Sequence, residues 1–174
     1  MKPLRHIVAL LVLVVSCDTN NGQTSAVDIA VVDNELAPPA LRKSIIRALG
    51  AQKNAAAIPA LIKTLQSPEP GIAVEALGAL AAIGDVGTIS ALVESTHGKA
   101  PAYRNEAVAA VGRIGSSRIG NAWLFVISTG DPDESVRKRA AATLAQMETA
   151  SEEKARVASD ASSNRHPPHS KSVQ

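Results

Sequence analysis

A segment of ten residues recurs four times in this chain, and this repetition limits the possible folds more than any other feature. The copies begin at Leu41, Ile72, Tyr103 and Val136, so the first two steps are equal and the third is slightly longer. Within each copy, apolar residues fall at the first, fifth, sixth, eighth and ninth positions apart from Thr143, which is the spacing of one face of an α-helix. Units of this length bury their apolar faces by stacking side by side.

A second apolar stripe follows each of the first three copies and predicts a second helix. The stripe is Ile58, Leu61, Ile62 and Leu65, then Ile89, Leu92, Val93 and Thr96, then Gly120, Trp123, Leu124 and Ile127. Asn54, Asp85 and Ser116 precede these helices, where a side-chain oxygen accepts from free backbone N–H groups. Asp131 is expected to cap the first helix of the fourth unit. Each unit is therefore predicted as a first helix, called A-type here, and a second, B-type helix.

Short motifs at the ends of the predicted A-type helices carry a family resemblance. They are Leu49-Gly50, Ile83-Gly84-Asp85, Ile114-Gly115 and Gly130-Asp131-Pro132-Asp133-Glu134-Ser135-Val136-Arg137. This pattern resembles the short HEAT-like repeats first named from phycobilin lyases, over about residues 38–147. The resemblance implies an all-α fold, a right-handed α-solenoid of about three and a half HEAT-like helical hairpins. The polar residues 151–158 are expected to cap the open end of the stack.

The first seventeen residues combine the features of an export signal. Lys2 and Arg5 precede an apolar run over residues 7–15, which is too short to span a bilayer as a helix. The run ends in Val14-Val15-Ser16-Cys17, and Cys17 is the single cysteine of the chain. This end resembles the lipobox of bacterial lipoproteins, which implies cleavage before Cys17 and a lipid on that residue. The alternatives are an ordinary signal peptide and a cytosolic protein with a buried N-terminal helix.

These features divide the chain into four segments. We predict a lipoprotein signal peptide over residues 1–16, a lipidated cysteine and flexible tether over residues 17–37, a HEAT-like repeat domain over residues 38–158 and a disordered tail over residues 159–174. Within the tether, residues 26–36 are expected to form either a short helix that covers the first repeat or an extended segment.

Motifs for catalysis do not occur in the sequence. No Ser/His/Asp set, glycine-rich phosphate loop or CxxC pair is present, so we predict no enzyme activity and no cofactor. His166 and His169 lie three residues apart in the predicted tail, but no further ligand has an ordered spacing, so no metal site is predicted.

Three arginines, Arg42, Arg104 and Arg137, share one position of the A-type helices, whereas Ala73 takes that position in the second unit. One interpretation is a basic ladder for an anionic partner. The interpretation that we favour is structural, with each side chain lying on the neighbouring repeat and bonding a loop carboxylate or carbonyl.

Phe125 is the residue that points most directly to a binding site. Counting back by the step that separates the first copies makes Glu94 and Lys63 its equivalents, or Ser95 and Thr64 if the third loop shifts the register by one. Both registers place an aromatic ring where the other B-type helices are polar. We predict that Phe125 anchors a partner, with Lys63 and Glu94 flanking it, because aromatic anchors often dominate binding energy. The alternative is that Phe125 packs against the fourth repeat or the C-terminal segment. Trp123 falls on a core position.

The sequence favours a membrane-anchored protein–protein interaction or scaffold module of the bacterial cell envelope, exposed on the extracytoplasmic side. Without Lys2 and Arg5 the basic and acidic residues of the chain are equal in number, so nothing indicates a nucleic-acid partner. The alternatives are an enzyme-associated subunit, lyase-like or activating, and a purely structural envelope lipoprotein. The sequence names no particular partner protein.

Overall fold

The structure is a computed structural model, and it describes residues 26–32 and 34–163. Over these ranges the chain forms eight α-helices and no strand. In chain order they are α1 (Ala26–Val32), α2 (Pro39–Ala51), α3 (Ile58–Thr64), α4 (Pro70–Ile83), α5 (Ile89–Glu94), α6 (Pro101–Ile114), α7 (Arg118–Gly130) and α8 (Glu134–Ser163). Single 3₁₀ turns lead into α3 and α5.

Prolines at a regular spacing begin the A-type helices. Pro39, Pro70 and Pro101 stand in the first turn of α2, α4 and α6, and Pro132 precedes α8 by two residues. Proline fits the first turn because the N–H that it lacks has no partner inside the helix there, and its φ angle is already helical.

The helices stack in two layers. Helices α2, α4, α6 and α8 pack side by side as the A-type layer. The B-type helices α3, α5 and α7 each pack against the A-type helix that follows them. Helix α1 packs on both α2 and α3, in the place of a B-type helix from a preceding repeat. The predicted all-α solenoid of hairpins is thereby confirmed, with three complete hairpins between α1 and α8.

A continuous interior of aliphatic side chains joins the repeats. Its largest fully buried members are Ile46, Leu49, Leu61, Leu65, Ile72, Leu77, Leu80, Ile89, Leu92, Leu124, Val32 and Val108. One joint between A-type helices depends on glycine. A Cβ atom on Gly50 would lie 2.7 Å from Cα of Ala79, so α2 and α4 approach more closely than any side chain at that position allows. A Cβ atom on Gly112 would lie 2.5 Å from Cγ2 of Thr143, a contact that rotation of the Thr143 side chain can relieve.

The caps of the first two complete repeats are those expected, and the third is displaced by one residue. The Oδ1 atoms of Asn54 and Asp85 accept backbone N–H bonds at 3.0 and 2.8 Å. In the third repeat Ser117 accepts from the N–H of Gly120 at 2.9 Å. The predicted cap Ser116 is wrong, because the turn before α7 is one residue longer and places Ser117 at the first turn.

The C-terminal end differs from the prediction. Helix α8 runs without a turn for 30 residues, so the predicted tail boundary at residue 159 falls inside it. Every residue from 151 to 160 is exposed, so residues 151–158 extend the helix and do not cap the stack. The capping side chain of α8 is Asp133 and not Asp131, since Oδ1 of Asp133 accepts from the N–H of Ser135 at 2.9 Å. Residues 164–174 lie outside the described residues.

The N-terminal end also needs a revised boundary. Part of the predicted tether, residues 26–32, is helix α1, and Val32 within it is fully buried. Burial of apolar side chains drives this packing. Helix α1 therefore covers the first repeat, which is the first of the two alternatives predicted for residues 26–36. The predicted signal peptide and Cys17 lie outside the described residues.

Candidate protein-binding surface

The arginines shared by the A-type helices bond within the stack. The guanidinium of Arg104 donates two hydrogen bonds to the Asp131 carboxylate, at 2.8 and 2.7 Å, and a third to the carbonyl of Lys99 at 2.6 Å. The side chains of Arg104 and Asp131 are 15% and 2% exposed. This pair joins α6 to the loop that opens the next repeat.

The other two arginines behave in the same way. Arg42 donates to the carbonyl of Val32 at 3.1 Å and lies 3.5 Å from the carboxylate of Glu69. Arg137 donates to the carbonyls of Asp131 and Pro132, at 2.6 and 3.1 Å. The structural interpretation is therefore confirmed, and these groups do not form a ladder for an anionic partner.

The spacing between these arginines and their carboxylates is regular. Both Glu69 and Asp131 lie 27 residues after the arginine that they meet. In the second repeat Ala73 replaces the arginine, and Ala100, at the same distance further along the chain, replaces the acid. In these first three repeats the arginine and its acid are thus present together or absent together.

The Arg104–Asp131 pair shifts the pKa of both groups. Hydrogen bonds from Arg104 hold the pKa of Asp131 below its usual value, and the same bonds raise the pKa of Arg104. The hydroxyl of Ser135 is the main cause of a lowered pKa at Asp133. Burial raises the pKa of Tyr103, whose hydroxyl donates to Oγ of Ser95 at 3.0 Å. Each of these shifts accompanies a bond inside the stack.

Side chains suited to metal binding are not assembled in the described part of the chain. Within residues 26–32 and 34–163, no group of three His, Cys, Asp or Glu residues is close enough to hold a metal ion. In the same ranges every buried side-chain nitrogen or oxygen has a hydrogen-bond partner.

An exposed apolar surface lies on α7. Phe125 and Val126 are each 61% exposed and Ile119 is 56% exposed, and we name these three residues the α7 strip. Trp123 instead packs against the core as a half-buried side chain, as expected. The alternative in which Phe125 packs on the fourth repeat or the C-terminal segment does not agree with its exposure.

The buried leucines of the B-type helices correct the alignment on which the sequence prediction relied. Leu61, Leu92 and Leu124 are all fully buried and hold equivalent places, so the second step between B-type helices is one residue longer than the first. The extra residue is the one that displaces the cap to Ser117. The adjacent serines, Ser116 and Ser117, were the signal in the sequence that the third turn is longer.

Phe125 therefore corresponds to Val93 and Ile62, and not to Glu94 and Lys63. Both Val93 and Ile62 are half-buried and pack against the core. The position is apolar in all three B-type helices, and the predicted polar position for Phe125 is wrong because of the longer turn. Phe125 is exposed because no further B-type helix follows α7 in the described residues.

Val126 takes the place of Lys63 and Glu94. Lys63, on α3, and Glu94, at the end of α5, are exposed like Val126. By this alignment the three side chains occupy the same side of successive B-type helices. An apolar residue has thus replaced a charged one at the last position of the row.

Architecture and surface together define an α-solenoid of HEAT-like hairpins with an uncovered apolar strip at one end. In agreement, residues 34–112 match the family of HEAT repeats, and repeats of this kind generally mediate protein–protein interaction or scaffolding. A search of curated proteins found none that matches the chain. Among the helices described, none combines the length and the apolar character needed to cross a bilayer.

Proposed function

We propose that this protein is a non-enzymatic scaffold or interaction module that binds a protein partner through the α7 strip. The observation that carries the proposal is the 61% exposure of both Phe125 and Val126 on a helix whose inner face is fixed by Leu124. Soluble chains rarely leave adjacent large apolar side chains in water without a binding role.

The stack around the strip suits binding because it is already folded. The α7 strip lies on a helix that packs against both α5 and α8, so little conformational freedom is lost when a partner binds. Lys63 and Glu94 carry opposite charges on the row that ends in Val126, and charges at the margin of an apolar contact set specificity and association rate.

We further propose that the protein is lipid-anchored in the bacterial cell envelope through Cys17 and faces away from the cytoplasm. The lipobox-like end of the apolar run supports this. Since α1 begins at Ala26, the tether is shorter than the sequence suggested. The nine residues from Cys17 to Ser25 can span at most about 32 Å, which limits the distance between the stack and the membrane.

Phe125→Ser is expected to abolish capture of the partner in pull-downs from detergent-solubilised envelope. The melting temperature should fall by no more than about 2 °C, because substitutions at exposed positions cost within about 0.5 kcal/mol. Val157→Ser is the matched control, since Val157 is 57% exposed but lies on α8 beyond the stack. Capture that survives Phe125→Ser, or is lost equally with Val157→Ser, would contradict this site.

Metabolic labelling with a palmitate analogue tests the anchor. The full chain is expected to carry the label and to fractionate with membranes, whereas Cys17→Ser should carry none and move to the soluble fraction, because several acyl chains give stable anchoring. An unlabelled wild-type chain would remove the envelope assignment and leave the binding proposal intact.

A further inference from the structure

The two ends of the stack are complementary half-repeats. Helix α1 is B-type in its packing, since it contacts α2 and α3, but no A-type helix precedes it in the described residues. Helix α8 is A-type in its packing, since it contacts α6 and α7, but no B-type helix follows it there. An A-type helix at one end and a B-type helix at the other are the two parts of one hairpin.

Side chains at the C-terminal end are exposed at positions that are interior elsewhere. Ala141 is exposed, whereas its equivalents Ile46, Leu77 and Val108 are at most 1% exposed. In the B-type layer Phe125 is likewise exposed, whereas its equivalents Ile62 and Val93 are half-buried. Terminal repeats that face water normally carry a polar outer surface, whereas Ala141 and Phe125 at this end are apolar.

The N-terminal end shows the same pattern. Ala48 on α2 is only half-buried, whereas its equivalents Ala79, Ala110 and Thr143 are buried. Leu36, in the turn between α1 and α2, is 94% exposed. Each end thus presents an apolar side chain at a position that is more buried in the other repeats.

We infer that the partner that covers Phe125 of the α7 strip is a second copy of this chain, joined head to tail. Helices α1 and α2 of the second copy pack on α7 and α8 of the first, so that α8 and the second copy's α1 complete one hairpin. This inference rests on the proposed function, because it assigns the partner of the same surface. The joint continues the contact that already links every repeat to the next within the chain.

The pairing of A-type helices inside the chain can be carried over to this joint. Gly50 approaches Ala79, and Arg47 forms an ion pair with Glu75 at 3.1 Å. The corresponding pairs at the new joint are Ala145 with Ala48 of the second copy and Ala142 with Ser44 of the second copy. All four are small residues, although Ala145 stands where α2 has Gly50, so the two helices would meet at a somewhat wider separation than α2 and α4.

The long C-terminal part of α8 leaves the joint open. Residues 148–160 are exposed and so is the α7 strip, so this part of the helix does not cover the strip. Because the two ends are different surfaces, the contact is heterologous, and further copies can add to either end.

Sedimentation equilibrium of the full chain in a density-matched detergent tests the inference, from about 1 µM to about 200 µM. The wild-type mass is expected to rise with concentration. Phe125→Asp blocks the C-terminal end and Ser44→Arg blocks the N-terminal end, both at exposed positions, so each variant alone should remain a monomer. An equimolar mixture of the two variants should form dimers and nothing larger, because Phe125→Asp keeps an intact N-terminal end and Ser44→Arg keeps an intact C-terminal end. Val157→Asp, outside the joint, should behave as the wild type.

Two results would overturn the head-to-tail contact. One is a wild-type chain that stays monomeric over the whole range. The other is a wild-type chain that associates while the mixture of Phe125→Asp and Ser44→Arg stays monomeric. That result would indicate a contact in which each variant alone disrupts both sides, as in a symmetric dimer. Melting temperatures close to the wild-type value establish that both variants fold. If the chain is monomeric but Phe125→Ser still abolishes capture of another protein, the inference fails and the proposed function stands.

Discussion

Asp131→Ala is expected to lower the free energy of unfolding by about 3 kcal/mol, because removing one member of a buried ion pair leaves the other charge without its partner. The Asp131 side chain is 2% exposed and accepts both bonds of the Arg104 fork. For a domain of this size the loss corresponds to about 10–15 °C in melting temperature. Thermal unfolding followed by circular dichroism measures it.

The matched control is Glu75→Ala, which removes the exposed pair with Arg47. These side chains are 28% and 63% exposed, so the expected loss is under about 1 kcal/mol. Arg104→Ala and the double variant complete a cycle that isolates the pair energy. Equal losses for Asp131→Ala and Glu75→Ala would show that the burial of Asp131 has no special effect.

The loss at Asp131 is also expected to depend on pH in a definite direction. The folded-state pKa of Asp131 is lowered, so its stabilisation is present above the unfolded value of about 3.9 and disappears as the pH falls through the folded value. The difference in melting temperature between wild type and Asp131→Ala should be full between about pH 5 and about pH 7 and should shrink in stronger acid. A difference that grows on acidification would contradict the assigned cause.

Gly50→Ala is expected to destabilise the stack by about 2 kcal/mol through overpacking, although alanine is the better helix former. The new methyl group would lie 2.7 Å from Cα and 3.0 Å from Cβ of Ala79, so α2 and α4 must separate. Overpacking of this kind costs about 1–3 kcal/mol, which exceeds the gain of up to about 1 kcal/mol in helix propensity. Denaturant unfolding measures the size and the sign of the change in the free energy of unfolding.

Gly78→Ala provides the opposite case in the neighbouring helix. Gly78 lies within α4, and a Cβ atom there would have no heavy atom within 4 Å. The substitution should therefore raise the free energy of unfolding by about 0.5–1 kcal/mol. If both glycine variants change stability in the same direction, close packing of α2 on α4 is not what selects Gly50.

The sequence predicted those features that recur at fixed spacing. The hairpins, the caps at Asn54 and Asp85, and the bonding of Arg42 and Arg104 all follow from local chemistry repeated in each unit. A structural role for the arginines was predictable because a carboxylate or carbonyl is always available in the adjacent loop.

Single-residue changes in one loop were harder to predict. The extra residue before Ser117 moves every later position of α7 by one, and this changed the equivalents of Phe125 from polar to apolar. Periodicity alone does not fix such a shift, since Gly120 and Trp123 also match the unshifted stripe. Burial of Leu124 decides the alignment, and burial is a property of the packed stack.

The course of α8 was predictable from helix propensity, although the expectation drawn from repeat arrays was different. Residues 148–163 contain good helix formers and no glycine or proline, so nothing in the sequence ends the helix near Met147. The expectation of a capping segment came from the behaviour of repeat arrays in general. Local sequence favoured continuation, and the structure follows it.

Because Met147 is the last buried residue of α8, the segment from there to Ser163 acts as a rigid spacer. At about 1.5 Å per residue the spacer is about 24 Å long. Deleting one residue would shorten this reach by about 1.5 Å and swing whatever follows by about 100° around the helix axis. The direction in which the C-terminal residues leave the molecule is thus adjustable without any change to the buried interior.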